Sequence, residues 1–281
     1  MTVQQAQDGR IAIRPYIEIK SMTVRYGVTA ALEDVSVEIA RGESVAVIGP
    51  NGSGKSTFLR ALGGLVRPAS GSILLDGSPL ARRAPRDLAR LVAYVPQDTA
   101  VLFEFSVREI VAMGRSPYLS AWGFESRDDL AAIDDAIALM DLGELADRSI
   151  IEVSGGERQR AMIARALAQR PAVLLLDEPA ANLDLKYQVR LYALLDRLTR
   201  TRGLTTIIVS HDLNAVSSCD RLIVLRDGRL HGVGPPADVL TETLVEEVYG
   251  CRASIDTHPR TRAPRVTLDG RLSMPFNWEK T

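Results

Sequence analysis

Residues 44–62 run Ser44-Val45-Ala46-Val47-Ile48-Gly49-Pro50-Asn51-Gly52-Ser53-Gly54-Lys55-Ser56-Thr57-Phe58-Leu59-Arg60-Ala61-Leu62. The opening part is short, apolar and rich in β-branched side chains, the pattern of a strand buried on both faces. The glycines at 49, 52 and 54 let the backbone turn its N–H groups inward around phosphate oxygens, and Lys55 places a cation on the β and γ phosphates of a nucleotide. Ser56 can then ligate Mg²⁺. Phe58-Leu59-Arg60-Ala61-Leu62 reads as a helix whose N-terminal amides and dipole face that anion. A bare Gly-x-x-x-x-Gly-Lys-Ser run can be an incidental Gly/Ser turn; strand, loop and helix in this order argue against it.

Working outward, a second strand pattern ends in acids at Val173-Leu174-Leu175-Leu176-Asp177-Glu178-Pro179. A hydrophobic strand that finishes in a carboxylate puts it at the carboxyl edge of a sheet, beside the phosphate loop, where Asp177 can hold Mg²⁺. Glu178 is placed to orient or deprotonate an attacking water, and Pro179 stops the strand. Alone, such acids are as readily ordinary solvated strand ends; the upstream loop favours the site. Between the two lies Val153-Ser154-Gly155-Gly156-Glu157-Arg158-Gln159, in which Ser154-Gly155-Gly156 opens a helix and offers a second anion-binding terminus. The plainer reading there is an N-cap serine with a flexible entrance.

The rest of the chain supplies a frame. Strand patterns at residues 16–20, 35–39, 72–77, 91–95, 173–176, 205–210 and 221–225 are interleaved with helical ones at 157–169 and 185–201, and Asp227-Gly228 marks a hairpin turn. Residues 106–148 are helical, broken at Gly114-Arg115-Ser116-Pro117-Tyr118 and at Trp122-Gly123. Alternation of this kind predicts an α/β fold with a mostly parallel sheet and helices on both faces.

Composition narrows the function classes. Over 281 residues, 34 basic side chains are offset by 35 acidic ones, a formal charge of -1, and the pI is about 6.3. That balance gives no electrostatic footprint for a nucleic-acid partner. The cysteines, Cys219 and Cys251, are far apart and without a Cys-x-x-Cys neighbourhood, as expected of reduced thiols. No run approaches the roughly 18–20 apolar residues of a membrane-spanning helix, and residues 1–14 lack the apolar core of a secretory signal. If the protein works at a membrane, another chain supplies the spans.

Tyr26, the loop at 49–57, Gln97, Ser154-Gly155-Gly156-Glu157, Asp177-Glu178 and His211 occur in the order and spacing of the ATP-binding subunit of ABC transporters, which residues 16–255 resemble. The resemblance implies a P-loop NTPase, a RecA-like core with an added antiparallel β subdomain and an ABC-type helical subdomain at about 98–165. Residues 1–15 would be an N-terminal extension and 256–281 a C-terminal tail. It implies ATP and Mg²⁺ as ligands. Tyr26 would stack on adenine; Gly49, Pro50, Asn51, Gly52, Ser53, Gly54, Lys55, Ser56 and Thr57 would hold the phosphates. Ser56, Gln97 and Asp177 would hold Mg²⁺, with Glu178 the general base and His211 on the γ phosphate. Ser154, Gly155, Gly156 and Glu157 would close over the nucleotide of a second subunit in a head-to-tail homodimer, sandwiching two ATP molecules. Each lone residue keeps a duller role: Tyr26 packing a turn, Gln97 exposed after a proline, His211 capping a helix near Asp212.

Three positions depart from that family's pattern: Val153 stands for leucine, Glu157 for glutamine and Ala181 for a serine often found there. A finer likeness lies in Val111-Ala112-Met113-Gly114-Arg115-Ser116-Pro117-Tyr118-Leu119, in Ser210-His211-Asp212-Leu213-Asn214 and in the ending around Gly234-Pro235-Pro236 and Val248-Tyr249-Gly250. These resemble importers of iron-siderophores, heme and cobalamin. It implies an ATPase on the cytoplasmic face of the membrane, docked on integral-membrane permease subunits and linked through them to an extracytoplasmic substrate-binding protein. A non-transport ABC ATPase, or an importer subunit for amino acids, zinc or manganese, shares the same ATPase motifs. In the tail, residues 253–255 and 265–268 are placed to form a small hairpin, and 274–281 read as disordered.

Overall fold

The computed structural model describes residues 15–98, 103–119 and 124–272. The expectations for residues 1–14, Trp122-Gly123 and 274–281 lie outside them. The chain begins with a hairpin of β1 (Ile17–Tyr26) and β2 (Thr29–Ile39), then β3 (Ser44–Ile48), α1 (Lys55–Leu62), β4 (Ser70–Leu75) and the short β5 (Ser78–Pro79). β1, β2, β4 and β5 make an antiparallel sheet in the order β2-β1-β4-β5. The strands expected at 16–20 and 35–39 are longer than their alternation suggested because each pairs with the other, Ile17 opposite Ile39 and Tyr26 opposite Thr29. Ile17 and Ile19 are buried, then Met22 and Val24; the change of phase falls at Ser21, whose φ of 44° marks a bulge. One extra residue there returns the apolar set to the same face.

Next come α2 (Pro85–Leu91), β6 (Val92–Val95), α3 (Val107–Ala112), α4 (Arg127–Leu139), α5 (Gly155–Ala168), β7 (Val173–Asp177), α6 (Leu185–Arg202), β8 (Thr205–Val209), α7 (Leu213–Val216), β9 (Arg221–Arg226) and β10 (Arg229–Gly234). The main sheet has the order β10-β9-β3-β8-β7-β6. All its pairings are parallel except the β9–β10 hairpin, as the strand–helix alternation predicted. Its central strands are buried on both faces, and successive residues feed two different cores. Ala46, Ile48, Leu174, Leu176, Ile208, Leu222 and Val224 join the core shared with the helical part. Val45, Val47, Val173, Leu175, Ile207, Ile223 and Leu225 join the core under α1 and the antiparallel sheet. That two-sided burial is why the strands read as unbroken apolar runs rather than alternating ones.

The break at Gly114-Arg115-Ser116-Pro117-Tyr118 is a packing clasp. A Cβ on Gly114 would stand 2.1 Å from the Arg165 carbonyl on α5, so only glycine lets these backbones meet. Arg115, buried, pairs with buried Asp129 of α4 at 2.7 Å, donates to the Ala168 carbonyl and lies 3.8 Å from the centre of the Tyr118 ring. The Tyr118 hydroxyl reaches the Arg90 and Gln169 carbonyls. The segment after α3 thus ties α2, α4 and α5 together at one point.

The chain ends in α8 (Pro236–Val239), α9 (Glu242–Tyr249) and an antiparallel hairpin of β11 (Cys251–Thr257) and β12 (Pro264–Leu272). This is the hairpin expected at 253–255 and 265–268, with Ile255 opposite Val266. Ala253 and Val266 are buried in the larger core, so residue 256, set as the start of a tail, falls inside a packed strand.

Candidate functional site: a phosphate loop at the carboxyl edge of the sheet

β3 delivers the chain into the loop of residues 49–54, and α1 leaves it. Gly49 has φ 146° and Gly54, the N-cap of α1, φ 98°. A Cβ at Gly49 would meet the Leu225 carbonyl at 2.1 Å, and one at Gly54 the Ala31 carbonyl and Leu32 at 2.6 Å. These two glycines serve both the turn and a close approach; Gly52, at φ 79°, has open space around it. Lys55 is buried, and its Nζ donates to the carbonyls of Gly49 and Pro50 at 2.8 Å each. Burial lowers the pKa of its ammonium, with the carboxylates of Glu178 and Asp177 acting in the opposite sense.

β7 and β8 run parallel beside β3 and end at the same edge, with Asp177 in register with Val209. Asp177 is 2% exposed. Its Oδ2 accepts from the Tyr94 hydroxyl at 3.3 Å, whereas its buried Oδ1 has no partner. Glu178, at φ 50°, turns the chain out of the sheet, and its N–H is held by the Val209 carbonyl at 3.0 Å. The left-handed turn aims its carboxylate back across the edge. His211, just past β8, meets it there: Nε2 lies 2.5 Å from Glu178 Oε1. Gln97, exposed, follows β6 at this edge, since β6 runs parallel to β7 with Val95 opposite Leu176. The helix capping given as the plainer alternative for His211 falls to Asp212, whose Oδ1 accepts from the N–H groups of Asn214 and Ala215.

Ser154 N-caps α5 as expected, but its hydroxyl is engaged. Ser154 Oγ accepts from the Glu157 N–H at 3.3 Å, the Glu157 carboxylate accepts from the Ser154 N–H at 2.8 Å, and Ser154 Oγ lies 2.8 Å from that carboxylate. These bonds, the backbone one foremost, hold the Glu157 carboxyl below its usual range. Ser-x-x-Glu is the spacing of a capping box, a signal present in the sequence and not used there. Ser154 and Gly155 are exposed, while Gly156 packs under the next loop: a Cβ would sit 3.0 Å from the Asn182 carbonyl. Ala181, Asn182 and Asp184 are exposed on that loop, as are Leu185, Val189 and Ile151 nearby in the chain.

Some site residues were not legible as such. Tyr94 is an ordinary inward residue of a β6 pattern until the fold sets it against Asp177; its phenol is raised above the usual range chiefly by burial. Arg60, on α1, has its guanidinium held above the usual range chiefly by the Tyr94 hydroxyl, with a smaller effect of Tyr26. Tyr26 is 47% exposed at the end of β1. Tyr249, the last residue of α9, buries its phenol beside the Gly49 backbone; burial pushes it up to about 12, partly offset by that backbone.

The residues present fit a nucleotide with its cation. Ser53 Oγ and Asp177 Oδ1 are buried polar atoms without a protein partner, which is costly unless a ligand completes them. No cluster of three or more His, Cys, Asp or Glu side chains that could hold a metal exists among the described residues.

Known proteins agree with this geometry. The sequence pattern of the ABC transporter family matches residues 32–181, just over half of the chain. The ferric enterobactin transport ATP-binding protein FepC of Escherichia coli (strain K12) is 39% identical over 255 residues, 90% of this chain and 94% of that protein. The cobalamin import ATP-binding protein BtuD of Halobacterium salinarum (strain ATCC 29341 / DSM 671 / R1) is 40% identical over 252 residues; the match takes in 89% of this chain but 63% of that relative's length. Among solved structures, the dimeric, post-hydrolysis ATP-binding cassette MJ0796 bound to ADP and Pi superposes with a TM-score of 0.72 at 28% identity, over 78% of this chain and 98% of that one. With its phosphate loop, its acid-ended strand and its capped Ser-Gly-Gly helix, the chain belongs to the ABC transporter family and is one of its ATP-binding cassettes.

Proposed function

We propose that the chain is the ATP-hydrolysing subunit of an importer for an iron-siderophore, heme or cobalamin type of substrate. On this reading residues 16–255, with the hairpin of β11 and β12 packed on them, form the nucleotide-binding domain, its helical part at about 98–165. It works as a head-to-tail homodimer on the cytoplasmic face of the membrane, docked on separate permease subunits that receive the substrate from an extracytoplasmic binding protein. The relatives named for ferric enterobactin and cobalamin transport support the substrate class, and the dimeric cassette supports the assembly. No helix among the described residues is long and apolar enough to cross a membrane.

The observation that carries the ATPase reading is that one sheet edge brings together buried Lys55, the carboxylate of Glu178 that acts on its charge, and buried Asp177, whose Oδ1 has no protein partner. Lys55 leaves the Gly49 and Pro50 carbonyls for the β and γ phosphates, and the loop amides take the remaining charge. Ser56, Gln97 and Asp177 would hold Mg²⁺, which would neutralise the charge that develops on the phosphates. Glu178 must part from His211 to act: its carboxylate then orients the attacking water and takes its proton, while the freed His211 Nε2 donates to the γ-phosphate oxygens as charge builds there. Tyr26 packs on the adenine. Ser154, Gly155 and Gly156 cover the partner's nucleotide, with Glu157 fixing the serine in its cap.

Glu178→Gln tests this directly. The variant is expected to bind ATP with near-native affinity while turnover falls about 100-fold or more, the scale of a lost general base. Turnover within a few-fold of wild type would remove Glu178 from the role.

A further inference from the structure

Asn214 lies in the first turn of α7, three positions beyond His211. Both ends of its side chain are bonded to one residue of the C-terminal hairpin. Nδ2 donates to the Val266 carbonyl at 3.1 Å, and Oδ1 accepts from the Val266 N–H at 2.8 Å. A primary amide that donates to and accepts from the same residue stands in for a neighbouring strand. Because both backbone groups of Val266 turn toward Asn214, its pairing with Ile255 is of the non-hydrogen-bonded kind. The Ile255 N–H turns the other way, where Glu242 Oε1 of α9 accepts it at 3.2 Å. The hairpin is therefore pinned along both edges, and Ala253 and Val266 anchor it in the larger core.

That pin matters for α7. A helix of four residues, Leu213–Val216, is too short to be stable by its own hydrogen bonds. Local capping holds it, with the Asp212 N–H donating to Ser210 Oγ at 3.1 Å and the Ser217 hydroxyl to the Asn214 carbonyl at 2.8 Å; Val216 anchors it in the larger core, and the Asn214 amide ties its first turn to Val266. His211, 42% exposed in its side chain, sits between the rigid end of β8 and this pinned turn.

We propose that Asn214 is a positioning residue for ATP hydrolysis: docked on Val266, it fixes α7 and so the place of the His211 imidazole, which makes the C-terminal hairpin a brace of the catalytic edge. The proposal rests on the role given to His211 above.

The test uses the full chain with Asn214→Ala, Asn214→Asp, His211→Ala and the double variant Asn214→Ala/His211→Ala. Steady-state ATP turnover is followed, together with ¹H–¹⁵N spectra of the imidazoles of His211, His231 and His258. Asn214→Ala is expected to lower kcat about tenfold, the scale of a misplaced catalytic group, with the KM for ATP within about twofold because the phosphate loop is untouched. Asn214→Asp, which keeps the acceptor for the Val266 N–H, should lose less. In the His211→Ala background, Asn214→Ala should cost less than about twofold more. The His211 signal should move in Asn214→Ala while that of His231, on β10, stays. A kcat within twofold of wild type, or the same tenfold loss repeated without His211, overturns the proposal. A wild-type chain that does not hydrolyse ATP would overturn the functional reading instead; the spectra still decide the positioning, and an unmoved His211 signal sinks it.

Discussion

Glycine at positions 49, 52 and 54 is one motif in the sequence and two kinds of residue in the fold. All three have positive φ, but Gly49 and Gly54 are also hemmed in by the backbone of Leu225 and Ala31, while nothing lies within 4 Å of a Cβ at Gly52. Gly52→Ala should therefore fold, at a cost of about 1–2 kcal/mol for the left-handed conformation, and Gly54→Ala should lose markedly more because the Ala31 carbonyl cannot yield. Chemical denaturation of the two variants gives the comparison; equal midpoints would contradict it. The motif's spacing was readable because phosphate chemistry dictates it. Which glycine also carries a tertiary contact was not, since the contacting atoms lie far along the chain. Asn214 and Tyr94 were missed for the same reason: neither type in its own stretch signals a partner at Val266 or Asp177.

Among the elements, the helical part depends on capping and on one buried pair. The caps of α3, α4 and α5 are all Ser-x-x-acid boxes, at Ser106/Glu109, Ser126/Asp129 and Ser154/Glu157, and each spacing is visible in the sequence. The second has a further duty. Asp129 is bonded first by the Ser126 hydroxyl and backbone and then by Arg115, and these hold its carboxyl down to about 2 against the opposing effect of desolvation. A folded pKa below the unfolded value of about 3.9 means that the carboxylate stabilises the fold above that pH and that this contribution is lost as the pH falls toward 2. Asp129→Asn leaves Arg115 buried without its counter-charge and should cost about 3 kcal/mol at pH 7. The gap in unfolding free energy between variant and wild type should narrow on titration from pH 5 to pH 3; a gap that stays constant would mean that the charge of Asp129 is not what matters. The Gly114–Tyr118 break was legible as a break. Its work as a clasp was not, because the Arg165 and Ala168 carbonyls it meets belong to a helix whose docking the local pattern does not specify.

For the whole molecule, the two helix termini proposed above to bind phosphate lie on different elements, the loop before α1 and the cap of α5, and the apolar side chains of Ile151, Leu185 and Val189 near the second are exposed at 44, 77 and 63%. Such residues fit a surface covered by a second copy when nucleotide is bound. In Glu178→Gln, ATP should shift the chain to twice its mass in analytical ultracentrifugation, and adding Leu185→Asp should abolish the shift without unfolding the monomer. Dimerisation of Leu185→Asp at unchanged ATP concentration would place the interface elsewhere.

The sequence by itself determined the α/β alternation, the phosphate loop, the acid-ended strand and the helix caps, because each is set by neighbours within a few residues: dihedral freedom, periodicity and donor spacing are local physics. Tertiary structure alone decided that alternate residues of the central strands feed two separate cores, that Glu178 and His211 face each other at 2.5 Å, and that a hairpin taken for the start of a tail is pinned by Asn214. These depend on contacts between segments far apart in the chain, whose formation turns on closing long loops and burying shared surface, and no local pattern records which segments will meet.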